Sequence, residues 1–318
     1  MQNFQVFIFT IANIIKGQCI MNLDIPLGSK SNYIEQNSLL RWIKYRTLST
    51  LHYIDFQLRK DENELQMAFD TKNPFENSPD WQELEKIPAA GQIDRGLLTM
   101  HNGLRVLPTA YYGYGHGKLM QRSLGIHEPQ EERLFHDILA CIPANSTMME
   151  LGSYWAYYSL WFHKAVPQAR NIMVEPRLSN LNYGQEHFRL NGFTGEFVLA
   201  GIGKDVKQDG ELRIAGIDEL MHELSVEKLA ILHSDIQGYE LEMLQSADKA
   251  IKDRAIDFFF ISTHSDDIHQ DCKSHLIESG YHILDDYRIA ESWTPDGLIV
   301  AQSPELDRIN LKPAVKKI

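Results

Sequence analysis

Met149-Glu-Leu-Gly-Ser-Tyr-Trp-Ala-Tyr-Tyr-Ser-Leu-Trp161 is the stretch that decides the fold. It carries the apolar run 147–151 into a glycine turn and then into a helical pattern, as a buried strand does when it hands over to a crossover. Downstream the alternation repeats. Apolar runs recur at 171–174, 196–200, 229–232, 257–261, 281–284 and 298–301. Several are continuous rather than alternating, which suits strands buried on both faces. Strands alternating with helices mean βαβ units and a largely parallel sheet with right-handed crossovers. The last two runs are separated only by 285–297, too short for a helical crossover, so the sheet should end in an antiparallel strand.

Upstream of this half the texture changes. Apolar residues recur at helical spacing from 31 to 60 (Leu39, Leu40, Ile43, Leu48, Leu51, Ile54, Leu58), predicting one long amphipathic helix or two abutting ones. Residues 70–96 hold Pro74, Pro79 and Pro88 and read as mostly irregular. The stretch from Gly103 to Gly117 packs Tyr111, Tyr112, Tyr114 and His116 among glycines, and reads as a loop lying over something. At His127-Glu-Pro-Gln-Glu-Glu132 the proline and glutamates stand where helix N-termini prefer them, predicting a helix to about Ile142. The expected division is therefore a leader over 1–20, a mainly helical N-terminal appendage over 21–125 and an α/β domain over 126–318. The appendage is placed to cover a cleft or to form a homodimer contact.

Composition narrows the classes. The chain has 318 residues, 43% hydrophobic and 23% charged, enough for a sizeable core and unlike a disordered or low-complexity protein. A net charge of −12, with no basic run longer than Lys316-Lys317, disfavours a nucleic-acid groove. Three scattered cysteines, Cys19, Cys141 and Cys272, indicate neither a disulfide framework nor a zinc knuckle, and the chain reads as cytoplasmic. The apolar stretch Phe4 to Ile15 is too short and interrupted to span ~30 Å of hydrocarbon. It lacks a basic n-region and cleavage site, and reads as a leader ahead of a second plausible start at Met21.

Ligands of an open α/β sheet bind beyond the carboxyl ends of its strands, where strand order reverses. The first strand ends at Gly152; the second ends at Glu175-Pro176, 23 positions on. An acid at that tip can accept from both hydroxyls of a ribose. A dinucleotide needs further glycines so that backbone can close on its pyrophosphate, and the aromatic side chains of Tyr154, Trp155 and Tyr157 would obstruct one. An adenosyl ligand without phosphates, such as S-adenosylmethionine, makes no such demand.

Glu150-Leu-Gly152, Val174-Glu-Pro176, Leu190-Asn-Gly192, Gly216-Ile-Asp-Glu-Leu220 and Ser234-Asp-Ile-Gln-Gly-Tyr-Glu-Leu-Glu-Met-Leu244 occur in an order and spacing that resembles the FkbM family of S-adenosylmethionine-dependent methyltransferases. The likeness covers roughly 126–304, with Gln237 where that family commonly has glutamate and Ala156 in place of a second glycine. It implies a Rossmann-like seven-stranded methyltransferase sheet and O-methylation of a sugar or polyketide-like hydroxyl. It also implies roles: Glu150 near the methionine amino group, Gly152 with Ser153 and Tyr154 against the cofactor, Glu175 and Pro176 at the ribose, Ala200 and Gly201 bordering the adenine.

Methyl transfer to a hydroxyl needs the acceptor oxygen in line with the methyl group and its proton removed. His233, Asp235 and His264 lie at the ends of the fourth and fifth strands, which a parallel sheet sets side by side. His264 is the expected general base with Asp235 orienting it. The competing reading makes Asp235 and His264 ligands of a divalent cation such as Mg2+ that acidifies the hydroxyl, and a bland one has His264 only cap Ser265-Asp266. His269 and His275 read as surface residues. Asp285-Asp286 and Glu291 to Asp296 read as solvated turns, with a lid over substrate as the alternative. The expected partner is a small-molecule hydroxyl acceptor. Two other classes stay open, a non-catalytic adenosyl-binding scaffold and a nicotinamide oxidoreductase.

Overall fold

The continuous apolar runs are visible directly in how the sheet is buried, since strands such as Leu229–Ser234 and Gly297–Gln302 are buried at every residue. In the computed structural model, which describes residues 70–205, 207–209 and 212–317 together with Tyr45, Thr47, Thr50, Leu51 and Tyr53, the first described helix after these is α1 (Pro79–Glu83), capped by the Ser78 hydroxyl. A small antiparallel sheet follows, β1 (Ile93–Asp94), β2 (Leu97–Thr99) and β3 (Arg105–Val106), and then helices α2 (Tyr114–Arg122) and α3 (Pro129–Leu139). The alternating half runs β4 (Thr147–Leu151), α4 (Tyr157–Ala165), β5 (Arg170–Glu175), α5 (Leu178–Asn191) and β6 (Glu196–Leu199). Next come short β7 (Gly201–Ile202), β8 (Lys207–Asp209) and β9 (Leu212–Ala215), then α6 (Ile217–Glu223), β10 (Leu229–Ser234), α7 (Glu240–Gln245) and α8 (Asp248–Lys252). The series ends with β11 (Ile256–Thr263), α9 (Asp266–Glu278), β12 (His282–Tyr287), a single 3-10 turn at Ile289–Glu291 and β13 (Gly297–Gln302).

Seven strands form one sheet in the order β12-β13-β11-β10-β4-β5-β6. All neighbouring pairs from β11 to β6 are parallel, and β13 runs antiparallel to both β11 and β12. This is the Rossmann-like α/β architecture with an antiparallel terminal hairpin that the run pattern predicts. Met148, Met173, Ile231, Phe258, Phe260 and Val300 join one core, whereas Met149, Ile172, Leu232, Phe259, Ile261 and Ile299 join the other, so each strand feeds both faces. The chain moves outward from β4 to β6 and returns to place β10 on the other side of β4, so strand order reverses between β4 and β10.

The region before β4 carries a small three-stranded sheet beside its helices, and Leu98, Met100, Leu104, Val106, Met120 and Ile126 lie in the same core as Phe135 of α3 and Tyr157 and Phe162 of α4. The aromatic stretch expected to be a loop turns helical at Tyr114. Gly117 explains how: a Cβ there would stand 2.0 Å from the Pro108 carbonyl oxygen, so only glycine lets α2 pass that close. Docking to the sheet half goes through α5. His187 accepts from the Leu107 amide (3.0 Å) and its other ring nitrogen donates to the Trp155 carbonyl (2.9 Å), while the Asn191 side chain pairs with both backbone groups of Arg105.

Tyr45, Thr47, Thr50, Leu51 and Tyr53 are helical, within the helix predicted over 31–60. The rest of that helix, the leader and Met21 lie outside the described residues, all of which fall in the unit Tyr45–Ile318. Among the described residues no helix is long and apolar enough to cross a membrane.

Candidate active site

The reversal between β4 and β10 brings Gly152 against Asp235. Asp235 donates its amide to the Leu151 carbonyl at 3.0 Å, and a Cβ on Gly152, whose φ is +66°, would lie 1.9 Å from the Asp235 carbonyl oxygen. The glycine is therefore demanded by the neighbouring strand's exit, a reason other than the cofactor approach expected for it. The turn continues with positive φ at Tyr154 and Ala156, and the Ser153 hydroxyl is buried without a hydrogen-bond partner among the described residues.

Glu175 at the tip of β5 holds this turn. One oxygen accepts from the Tyr154 amide (3.1 Å), the other from the Arg177 amide (2.8 Å) and the Asn180 side chain (3.3 Å), while burial pushes its pKa up. Glu150 is turned away from the tips: its carboxylate accepts from the Ser159 amide at 2.9 Å, inside the first turn of α4. Ala200 and Gly201 are fully covered, Gly201 by Ile214 of β9, so they form no open border. The apolar residues exposed around the β5 and β6 tips are Leu178 and Leu199, which the sequence reading did not single out, and Pro176 is exposed beside them.

His233 departs from expectation. It is buried, its Nε2 meets Glu131 of α3 at 2.7 Å, and Ser262 donates to the other Glu131 oxygen at 3.1 Å. Burial opposes its charge, but the Glu131 hydrogen bond and carboxylate raise its pKa overall. It is buried against Glu131 rather than presented at the strand tip. His269 is also buried, between Thr263 (2.9 Å) and Asp286 (3.4 Å), and is not the surface residue expected from its helix position.

His264, beyond the end of β11, is the meeting point of the site. Its Nδ1 lies 2.7 Å from Glu240, and its Nε2 lies 3.2 Å from Asp235 and 3.5 Å from Asp296. The Gln237 side-chain nitrogen, a donor on a residue with φ of +56°, stands 2.7 Å from the same Nε2. Burial disfavours the imidazolium, yet hydrogen bonds to Asp235 and Glu240 and the nearby Asp296 carry its pKa up to about 10. Nε2, the nitrogen expected to serve as general base, thus faces Asp235, Asp296 and Gln237, while Nδ1 faces Glu240. Among the described residues no group of three or more His, Cys, Asp or Glu side chains is arranged to hold a metal ion.

Asp296 is the residue that sequence reasoning assigned to a solvated turn. It precedes β13, and Gly297 pairs with Thr263 in the antiparallel ladder, so Asp296 and His264 leave the sheet side by side. Desolvation is the main cause that lifts its carboxyl to about 7, with His264 opposing and Asp235, Glu128 and Glu131 adding to the rise. Above lies the aromatic stretch. Tyr111 stacks against Tyr112, Tyr154, Trp155 and His127 at ring-centroid distances of 4.7–5.7 Å, and Glu128, Asp235 and Asp296 all push the Tyr111 hydroxyl's pKa upward after burial. The Tyr112 amide donates to the Tyr154 hydroxyl at 3.1 Å. Glu128, held by the Tyr158 hydroxyl (2.7 Å) and His127 (3.2 Å), adds a further carboxylate to this acidic neighbourhood.

No protein-family model matches the chain, and no curated protein matches it. Solved structures do. Precorrin-6y C5,15-methyltransferase from Geobacter metallireducens is 14% identical, with 54% of this chain and 87% of that one covered and a TM-score of 0.39. Ribosomal protein L11 methylase from Lactobacillus delbrueckii subsp. bulgaricus is 11% identical, covering 56% and 80%, with a TM-score of 0.40. Fibrillarin from Aeropyrum pernix, with natively bound S-adenosyl-L-methionine, is 15% identical, covering 50% and 67%, with a TM-score of 0.37. This chain's function rests on its own residues.

Proposed function

We propose that this chain is an S-adenosylmethionine-dependent methyltransferase that transfers a methyl group to a hydroxyl of a small molecule, a sugar or polyketide-like compound, as its resemblance to the FkbM family implies. The observation that carries the reading is the cluster at the carboxyl ends of β10 and β11, next to the β4–β10 reversal, where His264 stands between Asp235, Asp296 and Glu240.

The residues present fit the cofactor in part. Glu175 accepts three hydrogen bonds, and a carboxylate has about four lone-pair sites, so it can take one ribose hydroxyl. Leu178 and Leu199 offer apolar surface at the neighbouring tips for a purine face, and the aromatic turn at Tyr154 and Trp155 has no room for a pyrophosphate. Glu150, spent on α4, is not the ligand of the amino group. Bound S-adenosylmethionine supplies a methyl group activated by its sulfonium.

The chain's own residues do the rest. Asp296 accepts the hydroxyl proton, its raised pKa matching the task at neutral pH. His264, fixed by Glu240 on one side and Asp235 on the other, offers a positive charge that steadies the Asp296 carboxylate in the deprotonated state. Tyr112, exposed at the edge of the Tyr111 cluster, offers a ring on which a sugar can stack.

Calorimetric titration of the full chain with S-adenosylmethionine and, separately, with NAD tests the cofactor. Binding of the former alone is expected; binding of NAD alone would replace this reading with an oxidoreductase. S-adenosylhomocysteine release over a panel of sugars and phenols then tests the acceptor class, and cofactor binding with no release from any hydroxyl would favour a scaffold.

A further inference from the structure

We infer that Gln130, on the first turn of α3, is a positioning residue that seats Asp296 against His264. The inference rests on the reading of Asp296 given above.

The segment leading to Asp296 is irregular: a 3-10 turn at Ile289–Glu291, then Ser292 to Asp296, then β13. Nothing in the sheet ladder holds it until Gly297 pairs with Thr263. Gln130 supplies the missing hold. Its side chain is buried, and it uses both ends of its amide: the oxygen accepts from the Trp293 amide at 2.9 Å, and the nitrogen donates to the Glu291 carbonyl at 3.3 Å and the Val315 carbonyl at 3.0 Å. Two backbone groups three and five residues before Asp296 are thereby tied to α3. The 312–317 strap grips the same place from the other side. Lys317 donates its amide to the Glu291 carbonyl at 2.8 Å, and Val315 donates its amide to buried Asp80 at 2.9 Å. A buried carboxamide satisfied at both ends fixes a segment in one geometry, because releasing it would leave its polar atoms unpaired.

α3 separates this role from its neighbours by rotation. Glu131, one residue on, reaches His233 and Ser262, and Arg133 reaches Asp80 and Asp137, so a substitution at Gln130 removes the grip on 291–293 while leaving those pairs in place.

The test is NMR of the full chain with isotope-labelled histidine ring nitrogens. Asp296→Asn is expected to displace the His264 Nε2 resonance, since it removes a carboxylate 3.5 Å away. Gln130→Ala is expected to reproduce most of that displacement while the His233 signals stay at their wild-type positions. Gln130→Met, which keeps the volume and deletes both hydrogen-bonding ends, gives the same readout if the alanine variant does not fold. The inference is overturned if His264 is unmoved in the Gln130 variants, if His233 moves along with it, which signals a general loosening of α3, or if Asp296→Asn leaves His264 unmoved. Titration of the same samples with S-adenosylmethionine separates the two ideas. Failure of the wild type to bind defeats the methyltransferase reading and leaves the His264 result standing, whereas unchanged His264 signals in a binding-competent protein defeat only the role of Gln130.

Discussion

Asp296 and Gly152 show how much one position carries here. If Asp296 takes the acceptor's proton, Asp296→Asn should lower methyl transfer by roughly 10²–10⁴-fold with S-adenosylmethionine affinity little changed, as read by S-adenosylhomocysteine release beside calorimetry. Equal losses of turnover and affinity would mean that Asp296 holds the cofactor instead. Gly152→Ala acts on the fold: its Cβ would collide with the Asp235 carbonyl oxygen on a backbone already at positive φ. A loss of ~1–3 kcal/mol in urea unfolding is expected from overpacking and strain of this kind, and a wild-type midpoint would show that the β4–β10 exit can move apart. Neither role is local. Asp296 sits in a run whose composition reads as a turn, and its closeness to His264 follows from the register of β13 on β11, more than thirty residues away in sequence.

At the scale of the element, α3 joins the parts of the molecule that surround the cleft. Its glutamates read in sequence as negative charge in a first helical turn, and Glu132 does behave that way, accepting the amides of His127 (2.8 Å) and Glu128 (3.1 Å). Its other oxygen, however, meets His101 at 3.0 Å and the Tyr157 hydroxyl at 3.1 Å, and Glu131 leaves the helix end for His233. These additional partners come from β10, β11, α4 and the β2–β3 connection, so helical periodicity could show which residues share a face but not what they face. Removing one member of a buried pair leaves the other uncompensated. Glu131→Gln should therefore destabilise the chain by ~3–5 kcal/mol in chemical unfolding, most strongly below pH 6.5, where His233 is otherwise charged in both states. A cost under ~1 kcal/mol, that of an exposed pair, would show that His233 is neutral and the pair is a plain hydrogen bond.

For the whole molecule, the histidines set stability against pH from two sides. Burial depresses His187 to about 4, below its unfolded value of ~6.5, so the unfolded state binds the extra proton and stability falls as pH drops from 6.5 toward 4. His127 and His264 are carried up to about 10 by their carboxylates against the opposing effect of burial. Their contribution is complete below 6.5 and is lost as pH rises from there through 10. Urea midpoints measured across pH should thus peak near neutrality. Glu240→Gln should flatten the alkaline limb by removing a partner of His264, leaving the acid limb intact; an unchanged alkaline limb would place the titration elsewhere.

Continuous apolar runs, the turn at Gly152 and the short 285–297 connection were enough to specify a mostly parallel seven-stranded sheet with a reversed last strand, because burial on both faces imposes its own residue pattern on each strand. The same reading located Asp235 and His264 near the carboxyl ends of the strands, since topology alone puts those ends together. What it could not reach was the partnering of each group. His264 meets Glu240 of α7 and Asp296 ahead of β13, His233 is buried against Glu131 of α3, and Glu150 accepts an amide from the first turn of α4. Charge, burial and hydrogen bonding at a point in space are sums over whatever packs there, and only the tertiary structure decides which residues enter that sum.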